Sequence, residues 1–431
     1  MTSRIDGNGA RATVAEIESP RLRLLLDALG APGVDRGELI HGFWQEMERA
    51  GTPLVEPIPQ EDGVALVTFL WRETEPTGVV RLYEPVSWRP AEERELAKID
   101  GTDIWYLTWR MSTTLRAGYS FAVAKAGEEI PAGHWPETRH DPLNRHLRPS
   151  DWESGQMEAV LVMPDAEPLP WDRPHLTPLE GQVHARQFAS EILGNERPVW
   201  VYTPPEYDPS GPAYPLVVIF DGEEFHSAPR TLDAMILAGE LPPVVAVLVN
   251  QIGIRDKELP CNPEFSRMIA TELAPWMREV WNATDDPSWT VLNGCSFGGL
   301  CSAYTALKHP DVFGNVVMQS GSCWYHPTVI EAYRNQSEPS GSVVGVPAAT
   351  PSIIQEYMAA DPVPVRIYQE CGDVENGPPP ARVWQIFGNR WFHDILTLKG
   401  YETVYREFNG GHDDAWWRGT FADGMRWTLA L

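Results

Sequence analysis

Between residues 63 and 125 the chain alternates apolar and polar positions with period two. Val64 to Trp71, Val79 to Tyr83, Ile104 to Trp109 and Tyr119 to Val123 are runs of β-branched and aromatic residues. Turn residues separate them: Pro76-Thr77-Gly78, Asp100-Gly101 and Ala117-Gly118. Short strands at this spacing predict an antiparallel sandwich. Ahead of them the period is helical. Ser19 to Gly30 and Asp35 to Ala50 read as two short helices, the second with Leu39, Phe43 and Met47 at i, i+4 and i+8, Trp44 widening the stripe and Gly51 as its stop. After residue 180 the pattern changes. Val199 to Tyr202, Pro215 to Phe220, Val244 to Val249, Trp289 to Leu292 and Val316 to Met318 are apolar at successive positions, as are Val363 to Tyr368 and Val404 to Phe408 more weakly. Such runs predict strands buried on both faces. Helical stretches lie between or after them, at Phe265 to Trp281, Gly299 to Lys308, Ala381 to Lys399 and Ala415 to Leu429. Alternating buried strands and helices predict an α/β domain with a mostly parallel sheet.

These changes of pattern divide the chain. Residues 1–18 are small and polar and read as a flexible arm. Residues 19–165 form the β-sandwich domain with its leading helices, 166–180 a Pro-rich linker, and 181–431 the α/β domain. Composition then narrows the function. The 431 residues carry 34 Lys plus Arg against 60 Asp plus Glu, a formal net charge of −26. A chain so acidic lacks the basic field of nucleic-acid and anionic-membrane binders. Five cysteines with no C-x-x-C pair argue against a disulfide scaffold and a cysteine zinc site, and so for reduced thiols in a cytoplasmic protein. No secretory signal is visible at the N-terminus, and no stretch of 18 apolar residues predicts a membrane helix. The 18 tryptophans are a large aromatic investment and call for a use beyond the core.

The sharpest chemical signal is Gly294-Cys295-Ser296-Phe297-Gly298-Gly299, a G-x-S-x-G sequence between a predicted strand and a predicted helix. A tight strand-to-helix turn there projects the Ser296 hydroxyl from the end of the sheet as a nucleophile, and the N–H of Phe297 faces the place where an oxyanion forms. The alternative is a glycine-rich helix start with a serine cap. An elbow serine needs an acid and then a histidine later in the chain. Among His309, His326, His393 and His412, His412 lies in Asn409-Gly410-Gly411-His412-Asp413, between the last strand and the last helix, where open α/β sheets carry their chemistry. For the acid, Glu370, Asp373 and Glu375 follow the preceding strand. The Gly372-x-x-Glu375 spacing favours Glu375 and leaves Asp373 as a rival. A second oxyanion donor is expected near Gly222 or Glu223, after the strand ending at Phe220.

Several segments resemble one family. Arg255-Asp256-Lys257-Glu258-Leu259-Pro260-Cys261-Asn262 is similar to the R-x-x-E-L-P-C-N segment of enterochelin esterases. Ser296 to Leu300, Gln319-Ser320-Gly321-Ser322, Gly410 to Asp413 and Trp417-Arg418-Gly419 match the same family, and Phe69 to Arg72, Gly101 to Tyr106 and Asp141 to Asn144 resemble its N-terminal half. Asn250-Gln251 depart from the I-D that the family often carries before the arginine. The resemblance implies an immunoglobulin-like early-set β domain followed by an α/β-hydrolase of the esterase D type. It implies a cytoplasmic serine esterase that opens the trilactone of ferric tris-catecholate siderophores, with no cofactor and no resident metal, iron entering as part of the substrate. Ser296 and His412 match the nucleophile and base, Arg255 an arginine that holds the anionic ligand, and Trp324 an aromatic near the pocket. With a pocket that must then be locally basic, Lys257 and Arg418 are candidate helpers. A general acyl or feruloyl-type esterase on the same fold, and a siderophore carrier on an inactive hydrolase scaffold, are the competing readings.

Overall fold

The computed structural model describes residues 17–83, 89–130, 137–150, 156–172, 178–328, 330, 350–375 and 384–430. Most of the expected arm therefore lies outside the described residues. The backbone divides into two compact units, one within Met1–Arg148 and Met157–Glu167, the other within Pro149–Gln156 and Pro168–Leu431. Residues 173–177 of the expected linker lie outside the described residues, and its described parts do not stand apart. Leu169 and Trp171 pack on the core of the second unit, and the N–H groups of Glu180 and Gly181 each donate to Asp233 at 2.8 Å. The prolines stiffen a segment whose apolar residues still have a core to join.

The first unit opens with helices Pro20–Gly30 and Arg36–Ala50, whose N-cap residues Ser19 and Asp35 accept from the backbone N–H of Leu22 and Glu38. Eight strands follow: Leu54–Pro57 (β1), Val64–Arg72 (β2), Thr77–Tyr83 (β3), Ala97–Lys98 (β4), Ile104–Ser112 (β5), Arg116–Lys125 (β6), Leu147–Pro149 (β7) and Met157–Val162 (β8). They form two four-stranded sheets, ordered β1-β2-β5-β4 and β3-β6-β8-β7. Edge-to-face contacts of Phe69 with Tyr119 (5.1 Å) and of Trp71 with Phe121 (5.5 Å) join the sheets. The expected antiparallel sandwich is present, but strict alternation is not: β2 is buried at six successive positions, because Leu70 also packs in a cluster with Leu22, Leu25 and Phe43 of the leading helices.

The second unit is built on one eight-stranded sheet. Its strands are Gln182–Ser190 (β9), Asn195–Thr203 (β10), Leu216–Phe220 (β11), Val245–Val249 (β12), Thr290–Cys295 (β13), Asn315–Gln319 (β14), Arg366–Gly372 (β15) and Thr403–Phe408 (β16). The order is β16-β15-β14-β13-β11-β12-β10-β9. All neighbours from β12 to β16 are parallel, and β10 and β9 add antiparallel. Strands β11 to β14 are buried at every position, as their continuous apolar runs predict. Strand β9 has no such run because it is an edge strand with most side chains in solvent. The helix expected over 265–281 is three joined pieces, Pro263–Met268, a π-helical turn Ile269–Leu273 and Ala274–Trp281. Pro275 has no N–H to donate, and the wider turn just before it absorbs the gap.

One buried ion pair fixes the segment that carries Arg255. The Arg197 guanidinium, on β10, donates to both carboxylate oxygens of Glu258 at 2.6 and 2.8 Å. Both side chains are almost wholly buried, and the guanidinium lies over the Phe265 ring. Glu258 ends the short helix Arg255–Glu258, so this pair anchors it to the sheet. Removing one partner strands a buried charge. Arg197→Ala is expected to lose about 3–5 kcal/mol of unfolding free energy in urea titration, and the double change Arg197→Met with Glu258→Leu to recover most of it.

Candidate active site

The chain reverses its order of strand addition at β11, with β12 on one side and β13 on the other. In open α/β sheets, ligands bind beyond the C-terminal ends of the strands at such a point. Of the six parallel strands, five deliver a polar side chain within four residues of their ends: Asp221, Ser296, Ser320, Glu375 and His412.

Ser296 joins β13 directly to the helix Phe297–Lys308. Its backbone, at φ 56° and ψ −120°, lies where side chains are strained. The turn closes because its neighbours are glycines. A Cβ on Gly294 would stand 2.4 Å from the carbonyl carbon of Gly298, which is backbone and cannot yield. The Ser296 N–H donates to the Gln319 carbonyl (3.0 Å), and the Ser322 N–H to the Ser296 carbonyl (2.9 Å). The Ser296 hydroxyl pairs with the Ser322 hydroxyl at 3.2 Å.

His412 Nδ1 lies 2.6 Å from Oε2 of Glu375. The Glu375 side chain is fully buried, and the imidazole is about one third exposed. Oε1 of the same carboxylate accepts from the Gly372 N–H (2.8 Å) and from the Ser320 hydroxyl. The G-x-x-acid spacing has a steric origin. A Cβ at Gly372 would stand 2.2 Å from the Gly410 carbonyl oxygen, so only glycine lets the acid's loop press on the histidine's loop. Asp373 turns elsewhere, accepting from the Asn409 amide at 3.1 and 3.2 Å. The Trp417 ring meets the imidazole edge to face, with centroids 4.8 Å apart.

The other expected residues lie around the elbow. Phe297 begins the helix after Ser296, so its N–H is one of the helix's unpaired donors. Gly222 follows β11 and is pressed against the backbone of Leu248 and Val249. Arg255 is not a lone cation. Its Nε and Nη2 each donate at 2.7 Å to the buried carboxylate of Asp221, whose own backbone is left-handed at φ 54°. Nη1 makes no hydrogen bond among the described residues, and the guanidinium lies 5.5 Å from the Phe297 ring centre. Trp324 and Tyr325 flank the same ring, at 6.1 and 5.7 Å. The indole N–H of Trp324 donates to Gln385 at 2.6 Å. Burial, reinforced by the Asp221 charge, pushes the Glu224 carboxyl up to about 8. Arg418 is no pocket cation, being buried and donating to the Pro149 carbonyl at 2.8 Å, whereas Lys257 is exposed.

The geometry therefore brings Ser296, Phe297, Gly222, Arg255 and Trp324 to one end of the sheet, with His412 and Glu375 joined beside them. Asp221, Ser320, Ser322, Trp417 and Gln385 escape sequence reasoning. Asp221 reads as half of an ordinary Asp-Gly turn. Gln319-Ser320-Gly321-Ser322 carries a family resemblance but no local chemical signal. Among the described residues, no cluster of three or more His, Cys, Asp or Glu is placed to hold a metal ion, and no helix is long and apolar enough to cross a membrane.

Comparison with known proteins agrees with this architecture. Residues 190–428 match the family described as "Putative esterase", and residues 66–172 the family described as "Enterochelin esterase, N-terminal". An iron(III) enterobactin esterase of Dickeya dadantii is 30% identical over 90% of this chain and 92% of its own length. This chain belongs to the enterochelin esterase family. An iron(III) salmochelin esterase of Escherichia coli O6:H1 is also 30% identical to this enterochelin esterase family member, over 89% of this chain and 92% of the other. The enterobactin esterase of Shigella flexneri, crystallised in the presence of enterobactin, superposes with a TM-score of 0.70 at 27% identity, covering 89% of this chain and 97% of that one.

Behind the site of this family member lies a carboxyl that makes no hydrogen bond to Ser296, His412 or Glu375 among the described residues. Glu370, on β15, is wholly buried, and burial pushes it up to about 7 despite bonds from Gln319 (2.8 Å) and Thr420. Its other oxygen accepts from the Tyr368 hydroxyl at 3.2 Å, and Arg406 and Asp423 are the charges that act on it. An acid raised in the folded state favours folding fully below its unfolded value and loses that advantage as pH rises through the folded value. Glu370 should thus erode stability between about pH 5 and pH 8, by about 3 kcal/mol. Glu370→Gln, which keeps shape and hydrogen-bonding reach, is expected to flatten this decline in urea titrations at pH 5, 6.5 and 8. A variant curve parallel to wild type would deny Glu370 that part.

Proposed function

We propose that this chain is a carboxylic ester hydrolase that opens the trilactone of ferric tris-catecholate siderophores of the enterobactin type, so that iron is released in the cytoplasm. The observation that carries this reading is the likeness to enterobactin and salmochelin esterases along about nine tenths of the chain, through both the β domain and the hydrolase domain. An esterase of other specificity on the same fold would share only the second. The family and the ester-hydrolysing activity follow from the comparisons, and the residue roles are inferred from the geometry.

Ser296 is the nucleophile, His412 its base and Glu375 the acid. A lactone carbonyl settles against the elbow, and the Ser296 hydroxyl leaves Ser322 to meet the Nε2 side of His412. Such contacts are often loose before substrate binds. His412 takes the proton as Ser296 Oγ attacks. The Phe297 N–H, with a backbone N–H near Gly222, stabilises the oxyanion. Glu375 keeps the Nδ1 proton in place and stabilises the imidazolium. The departing serine-type alkoxide takes the proton back from His412. Water then attacks the acyl-enzyme by the reverse route, which frees Ser296. No cofactor takes part, and iron travels inside the substrate. The ring of Phe297, with Trp324 tilted beside it and Tyr325 edge-on to it, offers an aromatic surface to catechol, and the Nη1 donors of Arg255 meet its anionic oxygens.

Ser296→Ala is expected to lower turnover of a ferric tris-serine catecholate by at least ~10³-fold with binding retained, and to abolish labelling by a fluorophosphonate probe. Mass spectrometry of the products would record the linear trimer and dimer and the monomeric N-acyl serine from wild type only. Near-normal turnover in the variant would remove the serine mechanism. The Glu224 carboxyl adds a pH dependence. As pH rises through about 8 it gains a negative charge beside Arg255 and Asp221. KM for the trianionic substrate should rise about 5-fold between pH 7 and pH 9 while KM for a neutral ester stays level. Glu224→Gln should abolish the rise, and a rise shared by both substrates would point to another group.

A further inference from the structure

Three non-glycine residues at the strand ends of the site have left-handed backbones: Asp221 at φ 54°, Ser296 at 56° and Ser320 at 47°. Asp221 pairs with Arg255, and Ser296 is the elbow. Ser320 has no comparable explanation, although glycine would relax its backbone. Its side chain is completely buried. The Ser320 N–H donates to the Glu370 carbonyl at 2.7 Å, which fixes the strained conformation. The hydroxyl oxygen accepts from the Trp417 indole N–H at 2.9 Å. An indole nitrogen can only donate, so the single hydroxyl proton of Ser320 is left to point at its other neighbour, Glu375 Oε1.

We propose that Ser320 is a positioning residue of the esterase, its hydroxyl aimed by Trp417 so that it locks the Glu375 carboxylate in the plane that receives His412 Nδ1. The proposal rests on the assignment of Glu375 as the acid. Three donors from three strand ends then hold one carboxylate: Ser320 after β14, Gly372 at the end of β15 and His412 after β16. Without the Ser320 hydroxyl, Oε1 keeps the Gly372 N–H as a hydrogen-bond donor among the described residues, and the carboxylate is held less firmly in its plane. Trp417 contributes twice, since the ring that directs the hydroxyl also packs its face or edge on His412. The left-handed backbone is the consequence, because it turns the Ser320 side chain inward between Trp417 and Glu375.

The test compares Ser320→Ala and Ser320→Gly with wild type and Glu375→Gln. Ser320→Gly removes the hydroxyl while relaxing the backbone, so it guards against a variant that merely fails to fold. Both Ser320 variants are expected to lower kcat on the order of 10–100-fold with KM within about 2-fold, as for a lost hydrogen bond to a charged group. The low-field proton NMR signal of His412 Nδ1–H should move or broaden in both, while circular dichroism shows Ser320→Gly still folded at the assay temperature. Wild-type kcat and an unmoved signal in Ser320→Gly, with Glu375→Gln inactive, would overturn the positioning role and leave the acid in place. Wild-type kcat and signal in Glu375→Gln would instead overturn the acid assignment on which the proposal stands.

Discussion

The Glu375 carboxylate joins loops that are far apart in sequence. Its three donors, Ser320, Gly372 and His412, follow or end three neighbouring parallel strands. A buried carboxylate without such donors would be costly to desolvate, and removing any of them leaves part of that cost uncompensated. The constraint works in both directions. The loops hold the acid, and the acid holds the loops in register. The close approach of Gly372 to Gly410 and the strained Ser320 are tolerable because this one group repays them with charge-assisted bonds. Ser296, on the adjoining strand β13, is tied into the same edge through the Gln319 carbonyl and the Ser322 N–H.

Electrostatics at this edge differs from the net charge of the chain. The formal charge of −26 describes the whole sequence, whereas the site balances charges one by one. The Arg255 guanidinium is paired with Asp221, and the Glu375 carboxylate is hydrogen-bonded to His412 Nδ1. Glu224 is pushed toward its neutral form by burial and by Asp221. What remains beside the elbow is an arginine with unpaired Nη1 donors, set over an aromatic ring. A trianion can be received there without a strongly basic pocket, provided flat apolar faces supply much of the contact. This also gives part of the tryptophan excess a use. Trp417 directs a hydroxyl and packs on His412, Trp324 stands by Phe297, and others such as Trp44 and Trp416 fill cores.

How much of this was legible in the sequence follows from the range of the forces involved. Strands β11 to β14 announce themselves because burial on both faces favours runs of successive apolar residues, even though Asn293 in β13 and Asn315 and Gln319 in β14 are buried polar exceptions. Strand β9 does not, since an edge strand is half in water and borrows its order from β10 along nine paired residues. The interrupted helix at Ile269–Leu273 was hidden because apolar spacing says nothing about how a proline is accommodated. Ser296 and His412 were readable from local grammar, a glycine-bounded turn and a loop after the last strand. The preference for Glu375 over Asp373 rested on spacing, and its physical content is the contact between Gly372 and Gly410. Ser320 was out of reach, because its partners Glu375 and Trp417 lie 55 and 97 residues away.

The same edge shows why a parallel core suits this chemistry. Glu370 and Glu375 are both fully buried on or just after one strand, yet they meet different treatment. Glu375 faces Ser320, Gly372 and His412, three donors to it among the described residues. Glu370 sits one layer behind, takes bonds from neutral groups only, and is driven toward protonation. The difference is in the partners and not in depth. Gln319 connects the two layers, donating to Glu370, to the Trp417 carbonyl and to Thr420, while the indole of Trp417 reaches forward to Ser320. A hydrogen-bonded layer behind the strand ends is what allows the front layer to keep a buried carboxylate, a strained serine and a partly exposed histidine in one arrangement.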